Sequence, residues 1–333
     1  MAKRILRVEN LKTTFFTDEG VIPAVDNVSF HLDEKETLAI VGESGCGKTV
    51  TSLSILRLIP YPPGKITDGR IYYSDRDLLS LSEKEMRAIR GNDISMIFQE
   101  PMTSLNPVFT VGAQIMESLI VHQNMSKADA RKRAIEMIRL VGIPAPEKCV
   151  DYYPHQLSGG MRQRIMIAMA LACRPKILIA DEPTTALDVT VQAQILRLMI
   201  ELKEKTGTAI ILITHDLGIV AQIADRVNVM YAGETVESAD GRSIFREPLH
   251  PYTVGLLKSL PKINEERDKL YNIKGAVPSP KNYPQGCRFS PRCERAAEKC
   301  RSQKPGLFAV GEGRCVRCWL YEDKEGKGVK NDG

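Results

Sequence analysis

Aromatic residues make up only 6% of the 333 positions, with a single tryptophan, so the chain has little material for base-stacking platforms. Basic and acidic residues nearly balance, 46 against 41 for a net charge of +5, and they are interspersed rather than gathered in blocks. A basic nucleic-acid-binding face therefore finds no support, and no nucleic acid is expected as a partner. No apolar run approaches the roughly 18 residues of a membrane span; the longest runs from about Ile165 to Cys173. The opening MAKRILRVEN carries charges but neither an apolar h-region nor a small-residue cleavage site, so nothing marks it for export and a cytoplasmic location is expected.

What is present is 43% apolar and 26% charged residues, an ordinary globular composition, in a chain long enough for a large domain plus an appendage. Three of the eight cysteines are scattered, at Cys46, Cys149 and Cys173, and five crowd the C-terminal stretch at Cys287, Cys293, Cys300, Cys315 and Cys318. In a reducing compartment such a cluster reads as a metal site before it reads as disulfides.

Three apolar runs end in turn or loop chemistry: TLAIVG at 37–42, ILIADEP at 177–183 and AIILITHD at 209–216. Each reads as a buried strand of a parallel sheet. Helical periodicity appears in Val191, Ile195, Leu198, Met199 and Leu202, stopping near Gly207, and in Ala130, Ala134, Met137, Ile138 and Val141, stopping at Gly142. Ser126 with Asp129 resembles a capping box for the second of these. Strands alternating with helices predict an α/β fold. The first 36 or so residues alternate like an antiparallel β region with a turn at Asp18, Glu19 and Gly20, and about 100–160 read as mainly helical. Prolines at 248, 251, 261, 278, 280, 284 and 291 break the pattern, so a C-terminal extension is expected over 248–333, after a domain spanning 1–247.

Residues 42–49 read GESGCGKT, matching G-x-x-x-x-G-K-[ST] between a predicted strand and a predicted helix. Gly42, Gly45 and Gly47 let the backbone wrap so that the N–H groups of Glu43, Ser44, Cys46 and the residues through Val50 face phosphates. Lys48 reaches the β- and γ-phosphates of ATP, and Thr49 offers a hydroxyl to Mg²⁺. No role is expected for the Cys46 side chain. Asp181 and Glu182, at the end of a buried strand, supply a ligand for the Mg²⁺ shell and a base for the attacking water. Ser158, Gly159 and Gly160 open a helix, so their N–H groups and the Ser158 hydroxyl form a second anion site.

These pieces, LSGGMRQR at 157–164, ILIADEP, ALD at 186–188 and the phosphate loop, resemble the nucleotide-binding subunits of ABC transporters over about residues 5–240. The resemblance implies a P-loop, RecA-like ABC ATPase core with an antiparallel β subdomain and a helical subdomain. It makes LSGGMRQR the signature and ALD the D-loop. It also makes Gln99 the Q-loop glutamine near Mg²⁺, His215 the switch histidine at the γ-phosphate, and Phe15, or failing it Phe16, the aromatic on adenine. The signature then closes on ATP bound by an opposite subunit.

FQEPMTSLNPVFTVG at 98–112 and HPYTVGLLKSLP at 250–261 narrow the resemblance to ATPase subunits of dipeptide and oligopeptide importers. That implies a second related ATPase subunit, two membrane permeases, an external peptide-binding protein and a peripheral place on the cytoplasmic membrane face. Relatives of this subfamily carry nickel chelates or oligosaccharides instead. A soluble ABC ATPase of translation or repair shares the chemistry but brings two cassettes or long heptads, and this chain has one uninterrupted cassette. GCRFSPRC likewise resembles a cysteine-bearing stretch of peptide-importer ATPases, which implies a [4Fe–4S] cluster on Cys287, Cys293, Cys300 and Cys318. Tetrahedral Zn²⁺ is the alternative; the wide spacing of all but Cys315 and Cys318 weighs against it. Cys315 looks like an extra thiol.

Overall fold

Along β1 (Arg4–Thr17) the buried positions Val8, Leu11 and Thr13 slip out of strict alternation after Asn10, whose φ is 49°. The slip coincides with a register irregularity between Glu9 and Lys12, where one extra residue bends the strand. β2 (Gly20–Asp33) follows a two-residue turn at Asp18–Glu19. β3 (Thr37–Val41) is buried at every position. β4 (Gly64–Tyr73) pairs antiparallel with β1, placing Leu6 opposite Tyr73 and Phe15 opposite Gly64, and the short β5 (Arg76–Asp77) completes a sheet of order β2-β1-β4-β5.

This computed structural model describes residues 3–99, 104–184, 189–260 and 271–324. They form two compact units, one of Met1–Ile5, Leu32–Glu36 and Ser80–Ile213, the other of Leu6–His31, Thr37–Leu79 and Thr214–Gly333. In the first unit β6 (Ile94–Ile97), β7 (Ile177–Asp181) and β8 (Ala209–Thr214) run parallel, with Ile94 opposite Ile177 and Ile177 opposite Ala209. β7 and β8 are buried throughout, as strands covered on both faces must be.

The helix Lys127–Leu140 buries Ala130, Ala134, Met137 and Ile138, and Gly142 follows it at φ 72°. Its N-terminus corrects one detail of the sequence reading. Ser126 does cap it, accepting the Asp129 N–H at 3.2 Å, but the Asp129 carboxylate accepts from the Ser126 hydroxyl at 2.7 Å instead of reaching back to backbone. The reciprocal box sits elsewhere, at Ser82 and Glu85, on the helix Glu83–Ile89. The helix Val189–Thr206 ends at Gly207, φ 69°. The expected D-loop at 186–188, and Glu100 to Thr103 of the 98–112 segment, lie outside the described residues.

In the second unit β9 (Arg226–Tyr231) runs parallel to β3, with Val229 opposite Val41, and turns back through Ala232 and Gly233 into β10 (Glu234–Asp240). The two-residue strands β11 (Phe308–Ala309) and β12 (Cys315–Val316) extend this antiparallel edge. The proline-rich stretch shares a core with it. Tyr231 and Tyr252 have ring centroids 4.6 Å apart, and Phe289 meets Tyr231 edge-on at 5.2 Å.

Candidate active site

The phosphate loop leaves β3 at Gly42 and enters the helix Lys48–Ile55 at Gly47. Both glycines are required by packing. A Cβ on Gly42 (φ 153°) would stand 2.2 Å from the Met230 carbonyl oxygen, and one on Gly47 (φ 100°) 2.4 Å from that of Ala24. Ser44 and Gly45 are exposed at the crown, while Thr49 and Val50 are half-buried. Cys46 is 1% exposed, and its sulfur fills the space beside Gly42, so its side chain packs the loop from beneath.

Lys48 is buried too, and its ammonium donates to the carbonyls of Gly42 at 2.8 Å and Glu43 at 3.1 Å. Both carbonyl partners are neutral, so among the described residues no carboxylate is hydrogen-bonded to the ammonium to cancel its charge. That is the arrangement a β,γ-phosphate pair requires. Gly47 caps the helix from a left-handed conformation with no side-chain cap bond.

Glu43 is held from outside the loop. Its N–H donates to the Tyr252 hydroxyl at 2.9 Å, and its carboxylate takes both terminal nitrogens of Arg292, at 2.8 and 3.2 Å. Sequence reasoning noted HPYT and GCRFSPRC only as family marks and missed both residues. Phe15 is half-buried in β1 with its ring over Gly64, where a Cβ would stand 2.8 Å from Cε1; Phe16 is 51% exposed. His215 is exposed just after β8.

In the other unit Asp181 ends β7 at 1% exposure, and Glu182 follows with φ 46°. The Glu182 N–H donates to the Ile213 carbonyl at 2.8 Å, and Gln99 Nε2 donates to Glu182 Oε2 at 3.2 Å. That amide hydrogen bond orients the carboxylate. It also leaves the Gln99 carbonyl oxygen turned away from the carboxylate, and within this unit Gln99 and Asp181 are oxygen donors of the kind a hard cation such as Mg²⁺ takes, as the Thr49 hydroxyl is within the other.

The signature opens the helix Gly159–Leu171. Ser158 is its N-cap and accepts the Met161 N–H at 3.3 Å, and Ser158 and Gly159 are exposed. Gln163, the buried fifth residue of the helix, donates to the Pro183 carbonyl and so ties the signature helix to the turn after Glu182.

Cys287, Cys293, Cys300 and Cys318 line one cavity of about 190 Å³, and Cys315, in β12, is not among its lining residues. Burial pushes the thiols of Cys287 and Cys318 up to about 11, and the neighbouring cysteines add to the shift. Among the described residues, however, no three His, Cys, Asp or Glu side chains come close enough to hold a metal ion. The expected ligand set is thus grouped around one space but not drawn to ligating distance, and a tetrahedral zinc set, with its sulfurs about 2.3 Å from one centre, is not formed.

A glycine-wrapped loop with a buried lysine, joined to a helix, and, in the other unit, a carboxylate pair at a buried strand end are the parts of a P-loop nucleoside triphosphatase. Residues 25–185 match the ABC transporter family, and 236–300 match the oligopeptide/dipeptide transporter C-terminal region. The chain is 58% identical to an oligopeptide transport ATP-binding protein, AppD, of Bacillus subtilis, over 96% of this chain and 98% of that one. It is 49% identical to the dipeptide transport ATP-binding protein DppD of Escherichia coli, over 97% and 98%. It also superposes on a dimeric ATP-binding cassette, MJ0796, in a post-hydrolysis state bound to ADP and Pi, with a TM-score of 0.64 and 31% identity over 71% of this chain and 99% of that one. The chain belongs to the family of ATP-binding proteins of oligopeptide and dipeptide ABC transporters, and it is an ATPase.

Proposed function

We propose that this chain hydrolyses ATP to power the uptake of short peptides through an ABC importer. The observation that carries the reading is its near-full-length likeness to peptide-transport ATP-binding proteins, C-terminal region included. Lys48 and the loop N–H groups bind the triphosphate, and Phe15 stacks on adenine. Thr49, Asp181 and Gln99 hold Mg²⁺, which neutralises charge on the β- and γ-phosphates when bound. Glu182, aimed by Gln99, takes the proton of the attacking water, and His215 contacts the γ-phosphate. Ser158, Gly159 and Gly160 cover the ATP of a second, related ATPase subunit. Two permeases and an external peptide-binding protein complete the transporter, with this chain peripheral on the cytoplasmic face. No helix among the described residues is long and apolar enough to cross a membrane, which agrees with that placement.

Residues 1–247 serve as the nucleotide-binding domain, with its helical part at about 100–160, and 248–333 as an extension that carries a [4Fe–4S] cluster on Cys287, Cys293, Cys300 and Cys318. Four soft thiols around one cavity support that donor set over hard-cation sites, and the cluster would staple a proline-rich segment. Anaerobically purified protein is expected to be brown, with about four irons and four sulfides per chain. Colourless protein with no bound metal removes the cluster. For transport, the chain is reconstituted with candidate permease subunits and a peptide-binding protein. Hydrolysis stimulated by short peptides with their binding protein supports the reading; stimulation by nickel chelates or oligosaccharides instead replaces the substrate.

A further inference from the structure

Two side chains outside the loop motif meet at Glu43. Tyr252 is fully buried and accepts the Glu43 N–H at 2.9 Å. Burial pushes its phenol well up, so it remains neutral. Arg292 takes both oxygens of the Glu43 carboxylate, and its own fork is fixed by the Ile273 and Lys274 carbonyls at 3.2 and 3.1 Å. The Glu43 carbonyl in turn accepts from Lys48 at 3.1 Å. One residue of the loop therefore links a buried phenol, a fixed guanidinium and the lysine that meets the phosphates.

The charges give this link a purpose. A carboxylate in the second position of a loop that receives a polyanion opposes binding, and the more so where water is scarce. A bidentate guanidinium offsets that charge and fixes its direction, which a lysine in the same place does less well. The tether comes from the cysteine-bearing segment. Arg292 immediately precedes Cys293, and Phe289, which lines the thiol cavity, packs on Tyr252 with centroids 5.5 Å apart.

We infer that Tyr252 and Arg292 are positioning residues for nucleotide binding: by clamping Glu43 at its N–H and its carboxylate, they keep the phosphate loop in its phosphate-facing shape and cancel a charge that would repel ATP. The inference rests on the reading of Gly42 to Thr49 as the nucleotide site. Because both residues act through Glu43 and not on the reacting atoms, the clamp acts on the Kd and KM for Mg·ATP and not on kcat.

The test measures fluorescent-nucleotide binding and steady-state hydrolysis on the full chain. Tyr252→Phe keeps the ring packing and removes only the hydroxyl; Arg292→Lys keeps the charge and loses the fork; Arg292→Met loses both. Kd and KM are expected to rise about 5-fold in the first two and about 10- to 100-fold in the third, with kcat at saturation within about twofold of wild type. Adding Glu43→Gln to Arg292→Met should bring KM back toward wild type, since no carboxylate then needs cancelling. Wild-type Kd in Tyr252→Phe and in the Arg292 variants, alongside lost binding in Lys48→Ala, overturns the clamp and leaves the site standing. An Arg292→Met defect that Glu43→Gln leaves untouched overturns it also, because a packing fault behaves that way. If Arg292→Met does not fold, Tyr252→Phe and Arg292→Lys decide. Normal binding in Lys48→Ala instead removes the site reading itself, and the inference with it.

Discussion

Two glycine-opened helices, one in each unit, complete their N-terminal N–H groups in different ways. At the phosphate loop, Gly47 caps from a left-handed conformation and no side chain closes the end, while Glu43 is tied down by residues 209 and 249 positions away. At the signature, Ser158 closes its own helix through the Met161 N–H, and nearby carbonyls fix the flanking arginines: Arg162 donates to Pro154 at 2.8 Å and Arg164 to Val141 at 2.6 Å. Unoccupied amide donors at a helix end have an unsatisfied demand that an anion meets. In the function proposed above, the first end is the one that a nucleotide bound by this chain would finish. The second is closed by its own serine, and its exposed Ser158 and Gly159 are, in the function proposed above, where a ligand brought by another subunit would bind.

The largest effect is expected at Glu182, in the first unit. Glu182→Gln keeps the size and the Gln99 partner but removes the charge that takes up the water's proton, so hydrolysis should fall about 10²- to 10⁴-fold while ATP binding survives. ATP should then accumulate at closed sites, and gel filtration with Mg·ATP should show a dimer. Hydrolysis within a few-fold of wild type would take Glu182 out of this role.

Lys48→Ala tests the other end of the comparison. The loop then keeps its glycine path but loses the positive charge it positions. Charge-assisted hydrogen bonds contribute about 1.5–3 kcal/mol each, so affinity for ATP should drop at least roughly 10- to 100-fold. Calorimetric titration of the variant checks this, and an unchanged Kd would mean that the backbone alone holds the phosphates.

Much of this site is legible in the sequence because it is local. β3, the loop and the helix Lys48–Ile55 are contiguous, and the buried run ILIAD ends at Asp181 with Glu182 next in the chain. The helix Lys127–Leu140 shows its buried stripe in the same way. The Glu43 clamp is not legible, since nothing near residue 43 signals a phenol at 252 or a guanidinium at 292. Nor are β11 and β12, because a two-residue strand has no period to read. The cap at Ser126 was visible by residue type, but whether Asp129 answers to backbone or to the hydroxyl depends on a rotamer that spacing does not encode.

The smallest effect separates the two tasks given to Ser158. As an N-cap its hydroxyl satisfies the Met161 N–H, and replacement by alanine should cost about 1 kcal/mol of stability, whereas glycine at the same place costs only a few tenths. As part of the second anion site proposed above, the same hydroxyl would face the γ-phosphate of a neighbour, and both substitutions remove it. Ser158→Ala and Ser158→Gly should therefore lose hydrolysis to the same extent, while only the alanine variant melts measurably earlier. Lys48 and Tyr252 are untouched, so ATP binding to the dilute single chain should not change in either. In the wild type, the rate per subunit should fall steeply on dilution toward nanomolar protein, because each site then lacks its neighbour's signature. If the glycine variant instead retains wild-type turnover while the alanine variant loses it in step with its melting temperature, Ser158 is a cap and nothing more, and the signature end differs from the phosphate loop only in being closed.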